Sequence, residues 1–155
     1  NLWRPVAAIR AADTDGNPLT IADPTWTPLV VTPPFPEYTS GHSTFSGAAA
    51  AVLARVFGRD TIAFVAESDD VPGIVRSYPS FSAAAAESGM SRIYGGIHFM
   101  SANRFGLSSG VAVGDSIAKR LLRSRDEDRD EEDDEDDDED DHGRGHEDDE
   151  DEDDD

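Results

Sequence analysis

From Asp126 to Asp155 the chain has no apolar side chain, only Asp, Glu, Arg, Gly and His. Such a segment cannot offset the entropy of folding by burial, and its like charges hold it extended. Whatever this protein folds into is therefore built from residues 1–125, with 126–155 expected to be a disordered acidic tail. The same division reassigns the charge. The whole sequence carries 34 Asp and Glu against 13 Lys and Arg, a net of −21. The terminal run holds 24 of those acids and two arginines, so the first 125 residues, with 10 acids and 11 bases, stand near neutral at +1. A near-neutral body argues against an acidic, salt-adapted surface. The absence of a basic cluster argues against nucleic acid as the main partner.

Other classes fall quickly. The longest apolar stretch, Ala48–Val56, is alanine-rich and broken by Arg55, far from the ~18 residues that span a bilayer. With no cysteine, disulfides, thiol catalysis and Cys-ligated zinc are excluded. The chain starts at Asn1 rather than Met, and no signal-peptide pattern follows. It reads as a piece of a longer protein, with secretion or the periplasm left open as its compartment.

The local patterns point to an all-α fold, a helical bundle. Pro5 suits the first turn of a short helix over the opening residues. Between positions 13 and 40, Pro18, Pro24, Pro28, Pro33, Pro34 and Pro36 forbid a long helix and predict an ordered connecting loop. Residues 43–57 read as a helix capped by Ser43 or Thr44 and closed by Gly58. Residues 59–80 are mixed, with no convincing strand alternation, and end in a turn at Tyr78-Pro79-Ser80. A second helix is expected over 81–92. A third runs from about Ile97 or Asn103 to Arg123, with Leu107, Val111, Val113, Ile117, Leu121 and Leu122 as its apolar face.

The chemistry-bearing residues gather in three places. Of four histidines only His42 and His98 lie outside the acidic run. His42 follows Ser40-Gly41 at the start of the alanine-rich helix. There free backbone N–H groups and the helix dipole attract anions, and Gly41 lets a ligand approach the backbone. By itself this stretch fits a plain helix cap at Ser40 with a surface histidine at least as well. His98 lies beyond a Gly95-Gly96 break after Arg92, whose guanidinium offers a rigid fork to an oxyanion. The plain alternative is an arginine complementing a helix C-terminus beside a satisfied core histidine. Arg4, before Pro5, adds one more fixed cation. Taken together, an amide cradle, two guanidiniums and two imidazoles form a working set for a tetrahedral or five-coordinate oxyanion.

In order and spacing these residues resemble the superfamily of type 2 phosphatidic acid phosphatases and vanadium-dependent haloperoxidases, whose motifs are K-x6-R-P, P-S-G-H and S-R-x5-H-x3-D. Here stand Arg4-Pro5, then Ser40-Gly41-His42, then Ser91-Arg92 with five residues before His98. The flanking text NLWRPVAAIR, PPFPEYTSGHSTFSGAAAA and SRIYGGIHF is similar to the soluble bacterial haloperoxidase-like branch. The resemblance covers most of residues 1–123, as the C-terminal part of such a domain. Three departures are visible. The motif lysine would lie upstream of Asn1, Thr39 replaces the proline of P-S-G-H, and Ala102 stands where the third motif has Asp, with Asn103 beside it.

The resemblance implies a haloperoxidase oxidising halide with hydrogen peroxide. His98 would be the vanadate ligand, His42 the acid–base residue, and Arg4, Arg92, Ser40 and the Gly41 amide the holders of the remaining oxygens. Phosphate and vanadate are similar tetrahedral anions. The same residues would therefore serve an acid phosphatase acting on a small phosphate ester through a phosphohistidine at His98. A reading of another class is a non-catalytic protein whose acidic tail binds calcium or basic partners. Against it, the tail lacks the glycine-turned D-x-D-x-D-G loop of a calcium site, although His142 and His146 could hold a metal loosely.

Overall fold

The computed structural model describes residues 2–122, and residues up to Leu122 group as one unit. The acidic run, its two histidines and the division at residue 125 lie outside the described residues. Pro5 opens α1 (Pro5–Arg10) as its first helical residue, and Arg4 holds the N-cap position in extended conformation. A single 3-10 turn, Ala12–Thr14, follows. The proline-rich stretch then runs without regular structure to Ser40. It is ordered by its contacts. Asp23 N donates to Ile9 O, Arg10 Nε to Trp26 O and Val30 N to Gly95 O.

Helix α2 (Gly41–Val56) starts two residues earlier than its sequence suggests, because Ser40 and not Ser43 or Thr44 is the N-cap. The chain next makes a two-stranded antiparallel hairpin, β1 (Phe64–Ser68) and β2 (Val71–Tyr78). The sequence reading had no strand here. Both hairpin strands are exposed over most of their length, so burial imposes no apolar–polar alternation for a pattern to reveal. The bundle character is unaffected, since the rest of the regular structure is helical.

Helix α3 (Phe81–Tyr94) is capped by Ser80 Oγ, which accepts from Ala83 N at 3.0 Å. Asp60, from the linker before the hairpin, accepts from Ser82 N at 2.9 Å and from its hydroxyl. Helix α4 (Met100–Leu121) follows the Gly95-Gly96 turn, where Gly96 has φ +73°.

The helices meet through small residues. The buried face of α4 is Ala102, Asn103, Gly106, Gly110, Gly114 and Ala118. A Cβ on Gly106 would stand 2.8 Å from Ser40 O, and one on Gly114 would stand 2.5 Å from Ala48 O. From the other side, a Cβ on Gly47 would come within 2.6 Å of Leu107 O. Helices α2 and α4 thus lie backbone to backbone, with no room for side chains between them. This corrects the expected apolar face. Of the six residues assigned to it, Leu107 packs against the core, whereas Val111, Val113, Ile117, Leu121 and Leu122 are exposed. The remaining core is compact: Ala50, Phe81 and Ala85, with Ala54, Ile62, Phe64 and Leu107 against them. Phe81 stacks with both Phe57 and Phe64, at ring-centroid distances of 5.8 and 5.7 Å.

Candidate active site

Arg4 is fixed at four points. Its Nε and Nη2 donate to Phe35 O at 3.0 and 2.9 Å, and its Nη1 donates to Ile97 O at 2.7 Å and approaches His98 Nε2 at 3.0 Å. The guanidinium also lies over the Phe35 ring, 4.7 Å from its centroid. It is 9 % exposed, and burial lowers its pKa from the ordinary arginine value, with Glu37 acting in the opposite sense.

His98 is buried at 4 % exposure. Its Nε2 faces Arg4 and its Nδ1 stands 3.3 Å from Glu37 Oε1. Arg4 has only donors to offer and the Glu37 carboxylate only acceptors, so both neighbours favour the tautomer with its hydrogen on Nδ1 and a bare Nε2. Burial first, then the Arg4 charge, hold the His98 pKa below the usual histidine value, while Glu37 pulls the other way. The result at neutral pH is a neutral imidazole with a lone pair on Nε2.

The second pair is more open. Arg92 is half-buried, His42 exposed. Arg92 Nη1 lies 3.3 Å from His42 Nε2, and Arg92 Nε reaches Ser91 Oγ at 2.9 Å. The pKa of His42 is lowered by desolvation, then by the charges of Arg92 and His98. The two pairs adjoin through the backbone, where Arg92 O accepts from Ile97 N at 3.1 Å, next to His98. The structure brings Arg4, Arg92, His42 and His98 into one region as two arginine–histidine pairs, contributed by the α1 N-terminus, the α2 N-terminus, the last turn of α3 and the α3–α4 turn.

Ser40 and Gly41 take different parts. A Cβ on Gly41 would meet only Phe45, at 3.9 Å, so the first turn of α2 is open to an approaching ligand. Ser40 is fully buried. The Ser43 hydroxyl sits 2.8 Å from Ser40 Oγ and 2.8 Å from Asn103 Oδ1. With one hydrogen it donates to one of them. Ser40 Oγ accepts from the Ser43 hydroxyl and from Ser43 N, and Asn103 Oδ1 is the other acceptor within reach of that hydroxyl. In this arrangement Ser40 Oγ serves as the helix cap and adjoins the junction with α4.

Sequence reasoning missed Glu37. It is fully buried, and Oε1 accepts from Phe99 N at 2.8 Å besides facing His98. Its contact to His98 spans 61 positions, and nothing local to a proline-rich loop marks it. Asn103, flagged only as the neighbour of Ala102, turns out to be buried at the α2–α4 junction.

Chemically the region suits an anion rather than a bare cation. Among the described residues no three His, Asp or Glu side chains stand together as a metal-ligand cluster. Guanidiniums, helix amides and an imidazole lone pair instead favour an oxyanion that accepts hydrogen bonds and takes one nitrogen ligand. Among the same residues no helix is long and apolar enough to cross a membrane.

Solved structures share this fold. A structure described as the first bacterial vanadium-dependent iodoperoxidase superposes with a TM-score of 0.67 at 42% identity, over 78% of this chain and 27% of that one. A holo-type bacterial vanadium-dependent chloroperoxidase gives 0.59 at 21% identity over 78% of this chain and 31% of that one, the latter a likeness of fold alone. An apo-type chloroperoxidase gives 0.55 at 25% identity, over 72% and 29%. The chain thus spans under a third of the length of these relatives. No protein of curated function matches it. The family model described as VCPO second helical-bundle domain matches residues 1–127. That match covers every described element and both arginine–histidine pairs: the chain belongs to the VCPO second helical-bundle domain family, a portion of the vanadium haloperoxidase superfamily.

Proposed function

We propose that this chain carries the vanadate-binding wall of a haloperoxidase that oxidises halide with hydrogen peroxide. The observation that carries the reading is the buried His98 Nε2, held neutral and facing a guanidinium, with a second arginine–histidine pair beside it. Vanadate fits these residues by donor chemistry. His98 Nε2 would be its single nitrogen ligand, and Arg4, Arg92 and the Gly41 amide would offset the charge of its oxygens. Bound vanadate supplies the Lewis acidity that activates peroxide towards halide. His42, the more open imidazole, would hold or release a proton. Iodide is the first halide to test, because the 42%-identical relative is described as an iodoperoxidase.

The test is iodide oxidation by the vanadate-loaded protein in peroxide, against a His98→Ala control. Equal rates in the two would end this reading. Hydrolysis of a small phosphate monoester, blocked by vanadate and leaving phosphate on His98, would establish the phosphatase chemistry in its place.

A further inference from the structure

We infer that Glu37 is the positioning residue that fixes the tautomer of His98, holding the hydrogen on Nδ1 so that the Nε2 lone pair faces the Arg4 guanidinium. The inference rests on the reading of His98 as the ligand or nucleophile, and goes beyond it by naming what prepares that nitrogen.

Three observations carry it. First, the carboxylate is placed independently of His98. Phe99 occupies the N-cap of α4 without a side-chain cap of its own, and Glu37 Oε1 accepts the Phe99 N–H at 2.8 Å. A negative group is favourable at that helix end, so the backbone bond holds Oε1 still and the imidazole orients to it. Second, the same oxygen is the acceptor that faces His98 Nδ1, at 3.3 Å, and which ring nitrogen keeps its hydrogen is set by the bond the other makes. Ala102, where the third motif has a carboxylate, has no polar side-chain atom to do this.

Third, Glu37 is a costly residue for capping alone. It is fully buried, and its Oε2 has no partner among the described residues. A buried polar atom without a partner is expensive, and a neutral cap would serve the Phe99 N–H as well. Glu37 also belongs to a segment that touches every other part of the site. Phe35 O takes two bonds from Arg4, Ser40 caps α2, and His42 pairs with Arg92. The proline-rich loop thus sets the spacing between the two histidines.

The test is nitrogen-15 NMR of the histidine-labelled full chain without vanadate, with the His98 signals assigned by a His98→Ala variant. Wild type is expected to show His98 hydrogenated at Nδ1. Glu37→Gln keeps a carbonyl oxygen for both bonds and is expected to retain that tautomer, whereas Glu37→Leu, with only Arg4 left to oppose Nε2–H, should shift it to a mixture. Hydrogen on Nε2 in wild type, or an unshifted tautomer in a folded Glu37→Leu, would overturn the inference. If Glu37→Leu fails to fold, Arg4→Met decides: Nδ1–H kept without the guanidinium supports Glu37 as the residue that fixes it, and its loss overturns the inference. Vanadate titration then separates the two claims. Glu37→Leu should bind about 10- to 100-fold more weakly than wild type, as outer-shell losses do. A wild type that binds no vanadate sinks the haloperoxidase reading and leaves the tautomer result intact.

Discussion

Arg4 joins three parts of the chain through one planar group, which makes its replacement informative in two ways. Arg4→Met leaves Phe35 O and Ile97 O without their donors, and each unsatisfied acceptor costs about 1–3 kcal/mol where it stays dry. Urea denaturation should therefore show a lower midpoint. Arg4→Lys should recover little, because an ammonium cannot reproduce the fork. The histidines predict a pH effect of definite sign. Both His42 and His98 have folded-state pKa values below the ordinary one, so the unfolded chain takes up protons first as the pH falls. Stability is then complete above an unfolded pKa of about 6.5 and declines below it. Denaturation midpoints between pH 8 and 5 should fall, and fall less in His98→Gln. His42 and His98 could be singled out in the sequence because histidine is scarce in the body of the chain, and Arg4 and Arg92 only by their distinctive neighbours. Glu37 could not, because a glutamate among prolines announces no partner until the fold supplies one.

Among the elements, α4 teaches most. Its aliphatic residues repeat at helical intervals and pointed to a buried face, yet the glycine row at 106, 110 and 114 is the one that packs. Periodicity reports which residues share a side, and close backbone approach reverses which side is covered. Gly110→Ala illustrates the consequence. Helix propensity alone would favour alanine by about 1 kcal/mol, but its Cβ would run into the backbone of Thr44 and Ala48. We expect net destabilisation of about 1–3 kcal/mol, while the exposed Ser109→Ala should be neutral or better; thermal melts of the two decide. At the start of α3, Asp60 accepts from Ser82, first from its hydroxyl and then from its backbone, and these bonds lower the Asp60 pKa. A depressed carboxylate stabilises above its unfolded pKa and loses that contribution as the pH falls. Asp60→Ala should accordingly cost about 1 kcal/mol at pH 7 and progressively less towards pH 3. The helices were legible from caps, alanine content and glycine stops; the hairpin was not, since strands open to solvent on both faces need no alternating code.

For the molecule as a whole, Leu19, Ile21, Leu29, Val31, Phe45 and Leu121 are each at least three-quarters exposed. Soluble single domains seldom leave so much aliphatic surface uncovered. The isolated chain should bind a hydrophobic dye and sediment in a concentration-dependent way, and a dye-silent, strictly monomeric chain would contradict this. The loop leading into α2 carries one more consequence, for chain length. Between Phe35 and His42 every second or third residue is tied to a different partner, so an inserted glycine after Glu37 should unhook Arg4, His98 and the helix cap together. Around Asp15–Leu19 the backbone only turns upon itself, and there the chain can be lengthened or grafted without disturbing either histidine.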